Sequence, residues 1–388
     1  MTQDRPEIQG TCDDRFEQVR SAFESNFSNG LDVGACVAVT IGGELVVDLW
    51  GGTTDMASGA TAVPWERDTI INVYSTTKTQ TVLCVLMLVD RGEIDLDAPV
   101  STYWPEFAAN GKEGVLVRHV MSHNSGLSGW QEPMTTEDLY DWETATSRLA
   151  AQAPWWEPGT GSGYHALTQG YLLGEIVRRV TGESIGTFFA REVAKPLDAD
   201  FHIGLAPEHD GRVALVIPPP ALDAQMAGMD PTSLPIRTLT NPMLRAEDSW
   251  TEAWRRAEIP AAGGTGNARS VAMVQSVIAG GGETRGVRLL SERTVNRIFE
   301  EQSHNTDFVL GQPIRFGIGY GLVSETAPLS PSERACFWGG WGGSVHLVDV
   351  DQNMVVSYAM NKMGEGTVGD IRGATLVLAA YAGLAPGH

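Results

Sequence analysis

Strand-like segments sit at the two ends of this chain and helix-forming segments fill its middle, an ordering that restricts the fold more than any other feature. Near the N-terminus, Ala35-Cys-Val-Ala-Val-Thr-Ile and Glu44-Leu-Val-Val-Asp-Leu-Trp flank Gly42-Gly43, which reads as a β-hairpin. Near the C-terminus, Gly317-Ile-Gly-Tyr-Gly-Leu-Val, Ser344-Val-His-Leu-Val-Asp-Val and Met354-Val-Val-Ser-Tyr-Ala-Met read as strands, the last two joined by a turn at Asp351-Gln-Asn. The spacing of Phe16, Val19, Phe23 and Phe27 predicts an amphipathic helix over about 13–28, and a closing helix is expected over about 370–384. In between, helices are predicted from Ser75 to Arg91 with Gly92 as cap, at Asp97-Ala-Pro99, from Thr168 to Val180, and from Asn267 to Gly280. The proline-rich stretch 206–247 reads as irregular. The expected class is α+β, with one antiparallel sheet built from both ends and flanked by the N- and C-terminal helices. A mainly helical domain is inserted between the halves of that sheet. The boundaries expected are 1–74 together with 261–388 for the sheet domain, and 75–260 for the helical one.

At roughly 150 residues per domain, 388 residues agree with about two domains. An apolar share of 42% with 19% charged residues excludes a disordered or collagen-like chain. The formal net charge of −21 argues against nucleic acid and anionic lipid as partners, because neutralising phosphates takes Lys and Arg. Cys12, Cys36, Cys84 and Cys336 have neither zinc-ligand nor redox-pair spacing and read as reduced thiols. The first residues hold no apolar signal region, and the longest apolar run, Val82 to Val89, is too short to span a bilayer. A cytoplasmic protein without membrane insertion is the expectation.

The strongest chemical signal is Ser75-Thr76-Thr77-Lys78 at the start of an apolar helix. A Ser there faces free backbone N–H groups and the positive end of the helix dipole. Lys78 falls on the same face one turn later. The run that follows is apolar all round, so the helix is expected to be buried and the Lys78 pKa to fall, which would make it a base toward the Ser hydroxyl. Further on, Glu157-Pro-Gly-Thr-Gly-Ser-Gly-Tyr-His-Ala166 delivers a Tyr from a glycine-rich loop, and Phe337-Trp-Gly-Gly-Trp-Gly-Gly-Ser344 leads into a strand. A Tyr beside a cationic Lys is expected to have a depressed pKa and to shuttle protons.

The order of S-x-x-K, a Tyr after a Pro-Gly loop and a glycine-rich strand resembles the class C β-lactamases, and more nearly their relatives the family VIII carboxylesterases. The segments Arg118-His-Val-Met-Ser-His-Asn-Ser-Gly-Leu127, Gly170-Tyr-Leu-Leu-Gly-Glu-Ile-Val-Arg-Arg-Val-Thr-Gly182 and Pro260-Ala-Ala-Gly-Gly-Thr-Gly resemble that superfamily too. The likeness runs from about residue 15 to 383. It implies an active site in the cleft between the domains, with Ser75 as nucleophile, Lys78 as its partner and Tyr164 as proton shuttle. It also implies an oxyanion hole formed by the backbone N–H groups of Ser75 and Trp341. Trp338, Gly339 and Gly340 stand where the lactamases carry Lys-Thr-Gly, and Ala166 stands where they carry the Asn of Tyr-x-Asn. These three and one can hold neither a substrate carboxylate nor an amide side chain, so the resemblance implies an esterase for neutral, short-acyl esters. His165 is expected to line the pocket with them. The alternatives are a β-lactamase or D-amino-peptidase-like hydrolase, acyl transfer to an alcohol, or a non-catalytic binding protein on the same fold, the last disfavoured by an intact Ser, Lys and Tyr. No cofactor is expected. His119 and His123 have helical metal-ligand spacing but lack a third partner, so no metal is expected, and Ser125, Ser128, Ser162 and Ser344 lack a G-x-S-x-G elbow.

Overall fold

The structure, a computed structural model, describes residues 6–56, 61–219 and 228–384. Nine strands among them form one antiparallel sheet: β1 (Gln9–Cys12), β2 (Gly34–Ile41), β3 (Glu44–Gly52), β4 (Ser303–Thr306), β5 (Pro313–Phe316), β6 (Gly321–Leu322), β7 (Ala335–Gly339), β8 (Val345–Asp349) and β9 (Met354–Met360). The spatial order is β1-β3-β2-β9-β8-β7-β6-β5-β4, so the two ends of the chain meet where β2 pairs with β9. The longer helices are α1 (Glu17–Ser28), α2 (Thr77–Asp90), α3 (Trp142–Ala151), α4 (Thr168–Thr181), α5 (Ala268–Ala279) and α6 (Ile371–Ala382).

β2 and β9 are buried along almost their whole length. Their near-continuous apolar sequences require this, because a strand covered on both faces has no polar side to alternate with. A Cβ on Gly373 would lie 2.2 Å from Val345, so α6 covers the face that carries Val345 and its cross-strand partner Tyr358. α1 packs against α6, with Val19, Phe23 and Phe27 buried. α5 covers the opposite face. The Ala268 N–H donates to Cys36 Sγ at 3.3 Å, and Cys36 pairs with Ala359, which points away from Tyr358. Asn267 caps α5 by accepting from the Ser270 N–H at 2.9 Å.

The middle of the chain packs α4 between α2 and α3. Three short strands form a second small sheet there: Ile71–Asn72 pairs with Gly264–Gly266, and His202–Ile203 adds to the other edge of the latter. The two crossings between sheet and helices therefore run side by side, immediately before Ser75.

Three local expectations are corrected. The strand expected over 317–323 is reduced to β6 at Gly321–Leu322, and residues 317–320 before it form the turn from β5, closed by the Gly317 N–H on Tyr320 O at 2.9 Å. Gly319 takes φ 79° there, with Val82 2.4 Å from where a Cβ would stand, so the glycines serve the turn. Pro99 precedes the short helix Val100–Thr102 instead of lying inside it. The stretch 206–247 holds a short helix, Leu234–Leu239, and its residues 220–227 lie outside the described residues. β1 and β4 escaped the sequence reading because they are short, lie at the sheet edges and are largely exposed. All four cysteines are free. Among the described residues no helix is long and apolar enough to cross a membrane.

Candidate active site

Ser75 sits in a 3-10 turn, Tyr74–Thr76, that runs directly into α2. Tyr74 takes φ 45°, a left-handed backbone that costs a non-glycine residue roughly 1–3 kcal/mol and persists only when its surroundings over-determine it. Those surroundings are visible. The Thr77 hydroxyl donates to Tyr74 O at 2.5 Å and accepts from the Gly264 N–H at 2.9 Å. The Tyr74 hydroxyl donates to Ala246 O at 3.2 Å.

Lys78 is buried, and its Nζ has three oxygens around it: Ser75 Oγ at 3.0 Å, Ala166 O at 2.7 Å and Ala261 O at 3.0 Å. An ammonium would give one N–H to each. Burial drives the pKa well below its ordinary value, toward the neutral amine. A neutral amine has two N–H groups, which the two carbonyls take. Its lone pair then faces Ser75 Oγ, in position to receive that hydroxyl's proton.

Tyr164 is buried, and its hydroxyl donates to Ser75 Oγ at 2.5 Å. The expectation of a depressed pKa is overturned: burial pushes the Tyr164 phenol well up. The physical reason is that desolvation of the phenolate outweighs the hydrogen bonding at its oxygen, while the lysine expected to stabilise a phenolate is itself driven toward neutrality. The loop that carries Tyr164 is held from a distance. Asp307 Oδ1 accepts from the N–H groups of Tyr164, Val309 and Leu310 at 3.0, 2.9 and 2.9 Å.

The glycine-rich turn after β7 presses against Ser75. A Cβ on Gly340 would lie 2.3 Å from Val73 O and 3.2 Å from Ser75 N, and one on Gly339 would lie 2.6 Å from Gly369 N. Ser344 Oγ donates to Val73 O at 2.9 Å, fastening the turn to the same segment. The backbone N–H groups of Ser75 and Trp341 take no part in the backbone hydrogen-bond pattern of the described residues.

The pocket over Ser75 has a volume of about 100 Å³. Leu167, Leu239, Pro242, Leu244 and Ala262 wall it, Trp341 closes one side, and no charged side chain borders it among the described residues. The sequence reading missed the contribution of 239–244, which carries no motif, and of Asp307, which is 143 residues from Tyr164. Trp338 lies elsewhere than expected. Its ring is buried against Tyr164 at 5.5 Å and Phe316 at 5.3 Å between ring centroids, behind the pocket wall. His165 is corrected as well: it is fully buried and does not border the pocket. Its Nδ1 donates to Gly163 O at 2.6 Å, so Nε2 accepts from Ser125 Oγ at 2.7 Å, and burial lowers its pKa to about 3. It is a neutral strut between the Tyr164 loop and the 123–127 segment. His119 and His123 do not converge on one point: Nδ1 of each accepts a backbone N–H, from Leu116 and His165 respectively.

An antiparallel sheet covered by helices on both faces, with a Ser, Lys and Tyr cluster at the junction with a helical insertion, defines the β-lactamase fold class. The chain belongs to the beta-lactamase family, whose family model matches residues 23–381. It is 35% identical over 375 residues to the esterase/beta-lactamase LipL of Mycobacterium tuberculosis, covering 91% of this chain and 83% of that protein. Among solved structures it is similar to a family VIII carboxylesterase, with 42% identity, a TM-score of 0.89 and coverage of 97% of this chain and 100% of the other. It is also similar to a penicillin-binding protein homolog from Caulobacter crescentus, with 36% identity, a TM-score of 0.88 and coverage of 97% and 100%.

Proposed function

We propose that this protein is a serine carboxylesterase acting on neutral, short-acyl esters through an acyl-enzyme on Ser75. The observation that carries the reading is the hydrogen-bonded line Tyr164 Oη, Ser75 Oγ, Lys78 Nζ, with contacts of 2.5 and 3.0 Å. Lys78, as the neutral amine, takes the Ser75 proton while Oγ attacks the ester carbonyl carbon. The developing oxyanion is met by the N–H groups of Ser75 and Trp341. Tyr164, kept a phenol by burial, is a proton donor, so it serves the leaving alkoxide as general acid. Water then attacks the acyl carbon with the same groups acting in reverse, and the free serine is restored. The names of the two similar proteins above, an esterase and a carboxylesterase, agree with this chemistry.

The neutral substrate class is supported by the apolar walls of the pocket over Ser75, which no charged side chain borders among the described residues. A missing charge-assisted hydrogen bond costs about 1.5–3 kcal/mol, or roughly 10- to 150-fold in transition-state binding. The test is a panel of p-nitrophenyl esters of rising chain length beside a chromogenic cephalosporin, with fluorophosphonate labelling mapped by mass spectrometry. Labelling at Ser75, its loss in Ser75→Ala, and a kcat/KM for the butyrate well above that for the cephalosporin are the expected results. Equal turnover of the two would overturn the substrate class. Label on another serine would overturn the nucleophile. A second reading, β-lactam hydrolysis, is favoured by the double name of the mycobacterial relative, and the cephalosporin arm measures it.

A further inference from the structure

The turn that carries Trp341 has glycine at 339, 340, 342 and 343. Glycine is the residue with the most backbone freedom, so such a turn has little rigidity of its own. An oxyanion donor, by contrast, stabilises a transition state only when it is already aimed at it. The structure shows what holds the turn still. Arg372, in the first turn of α6, is buried beside it. Its Nη2 donates to Gly342 O at 2.6 Å and to Asp370 Oδ2 at 2.6 Å. Its Nη1 donates to Asp32 Oδ1 at 2.9 Å and to Lys362 O at 2.8 Å. The guanidinium is thus fixed by two carboxylates, one from the segment before β2 and one from the cap of α6. Asp32 is fixed in turn by the Tyr358 hydroxyl at 2.6 Å.

The fit to the turn is close. Gly342 and Gly343 take φ 92° and 127°, and a Cβ on Gly343 would lie 2.4 Å from Arg372 Nη2. Gly342 O also accepts the Gly364 N–H at 2.7 Å, while the Gly342 N–H donates to Gly366 O at 2.8 Å. On the other side of Trp341, the Gly340 N–H donates to Ser344 O at 2.7 Å. The Trp341 N–H therefore stands free between two anchored residues, and Arg372 supplies one of the three hydrogen bonds that hold the second.

We propose that Arg372 is a positioning residue of the oxyanion hole, fixing the Trp341 N–H through its hydrogen bond to Gly342 O. This rests on the reading of Ser75 and Trp341 given above. Arg372→Lys keeps a charge but cannot reach Asp32, Asp370 and Gly342 O together, because a lysine lacks the guanidinium fork. The expected result is a fall in kcat of about 10- to 100-fold with KM within about two-fold, since only a transition-state interaction is weakened. The affinity of an alkyl boronic acid, which places an oxygen where the oxyanion forms, should fall in step with kcat/KM. Lys112→Met is the structural control: it removes a buried side chain that donates to Ala109 O and Ala150 O and borders neither the pocket nor Gly342, and should lower Tm while kcat holds. Activity loss that tracks Tm equally in both variants would overturn the proposal, as would an unchanged kcat in Arg372→Lys. If Arg372→Lys does not fold, Asp370→Asn carries the test, with a fall in kcat of about five-fold expected and an unchanged kcat overturning it. Fluorophosphonate mapping on the parent protein separates the two levels. Label at Ser75 with kcat unchanged in the variants sinks this proposal alone, whereas label elsewhere sinks the reading beneath it.

Discussion

The chain buries two lysines in different regions, Lys78 at the start of α2 and Lys112, just after the 3-10 segment Pro105–Gly111, with its Nζ against the C-terminal end of α3, and neither makes an ion pair among the described residues. Each has three oxygens around Nζ. For Lys112 all three are backbone carbonyls: Ala109 O at 2.6 Å, Ala150 O at 2.9 Å and Gln152 O. Three acceptors suit an ammonium, and the negative end of α3 adds to its stability. Burial lowers the Lys112 pKa only to about 8. For Lys78 one of the three oxygens is the Ser75 hydroxyl, which can donate as well as accept, and the pKa goes well below its ordinary value. Desolvation lowers both pKa values, further at Lys78, but an amine that is neutral is a base only where a proton donor faces it. At Lys78 the third oxygen, the Ser75 hydroxyl, is such a donor, and at Lys112 none of the three is.

The sharpest way to break this comparison is to truncate both lysines. Lys78→Met should lower kcat by about three orders of magnitude or more, and adding Tyr164→Phe should cost little beyond the worse single change, because parts of one unit are not additive. Lys112→Met should leave kcat within about two-fold while the urea midpoint drops, since each orphaned carbonyl costs roughly 1–3 kcal/mol. Equal loss of activity in both would mean that burial, and not the hydroxyl, sets the role.

The pH dependence sharpens the same contrast with a smaller effect. In the proposed mechanism Lys78 must be neutral, so kcat/KM should rise with pH along one limb that lies well below the ordinary lysine range of about 10.4. Tyr164, held a phenol by burial, adds no falling limb below about pH 10. The limb should vanish from the residual activity of Lys78→Met and persist in Lys112→Met. A falling limb near neutrality would show that a group of depressed pKa must stay protonated, and would sink the account of a Tyr164 phenol held up by burial.

The smallest effect is on stability. Lys112 has a folded pKa of about 8 against roughly 10.4 unfolded. Between those values the unfolded chain holds more protons, so this group makes stability rise with pH across that window. Urea midpoints taken at about pH 8 and about pH 10 should differ less in Lys112→Met than in the parent. An identical rise in both would remove Lys112 from the account.

Much of this could be read from the amino-acid order, and the boundary of what could be read has a physical basis. Ser75 and Lys78 are three residues apart on a helix, so helical geometry alone sets them side by side. The hairpin at Gly42-Gly43, the stripe Phe16, Val19, Phe23, Phe27 and the caps at Gly92, Gly182 and Asn267 are likewise short-range, decided by periodicity and backbone freedom. The glycine-rich turn at 339–343 was legible as a close approach, though not what it approaches. Tertiary structure decided the rest. The Lys78 carbonyls come from Ala166 and Ala261, 88 and 183 residues away, and Tyr164 reaches Ser75 across 89 residues. The sign of the Tyr164 pKa shift depends on how much water the whole fold excludes and on the charge state of its neighbour. His165 looked like a pocket residue beside Tyr164, yet its side chain turns into the core because Gly163 O and Ser125 satisfy both ring nitrogens there. Asp307 and Arg372 have no sequence signature, since each acts by one hydrogen-bond geometry on a backbone group remote in the chain. Spacing along a helix is a local property of the chain, whereas burial and the identity of a third hydrogen-bond partner are sums over residues that only folding brings together.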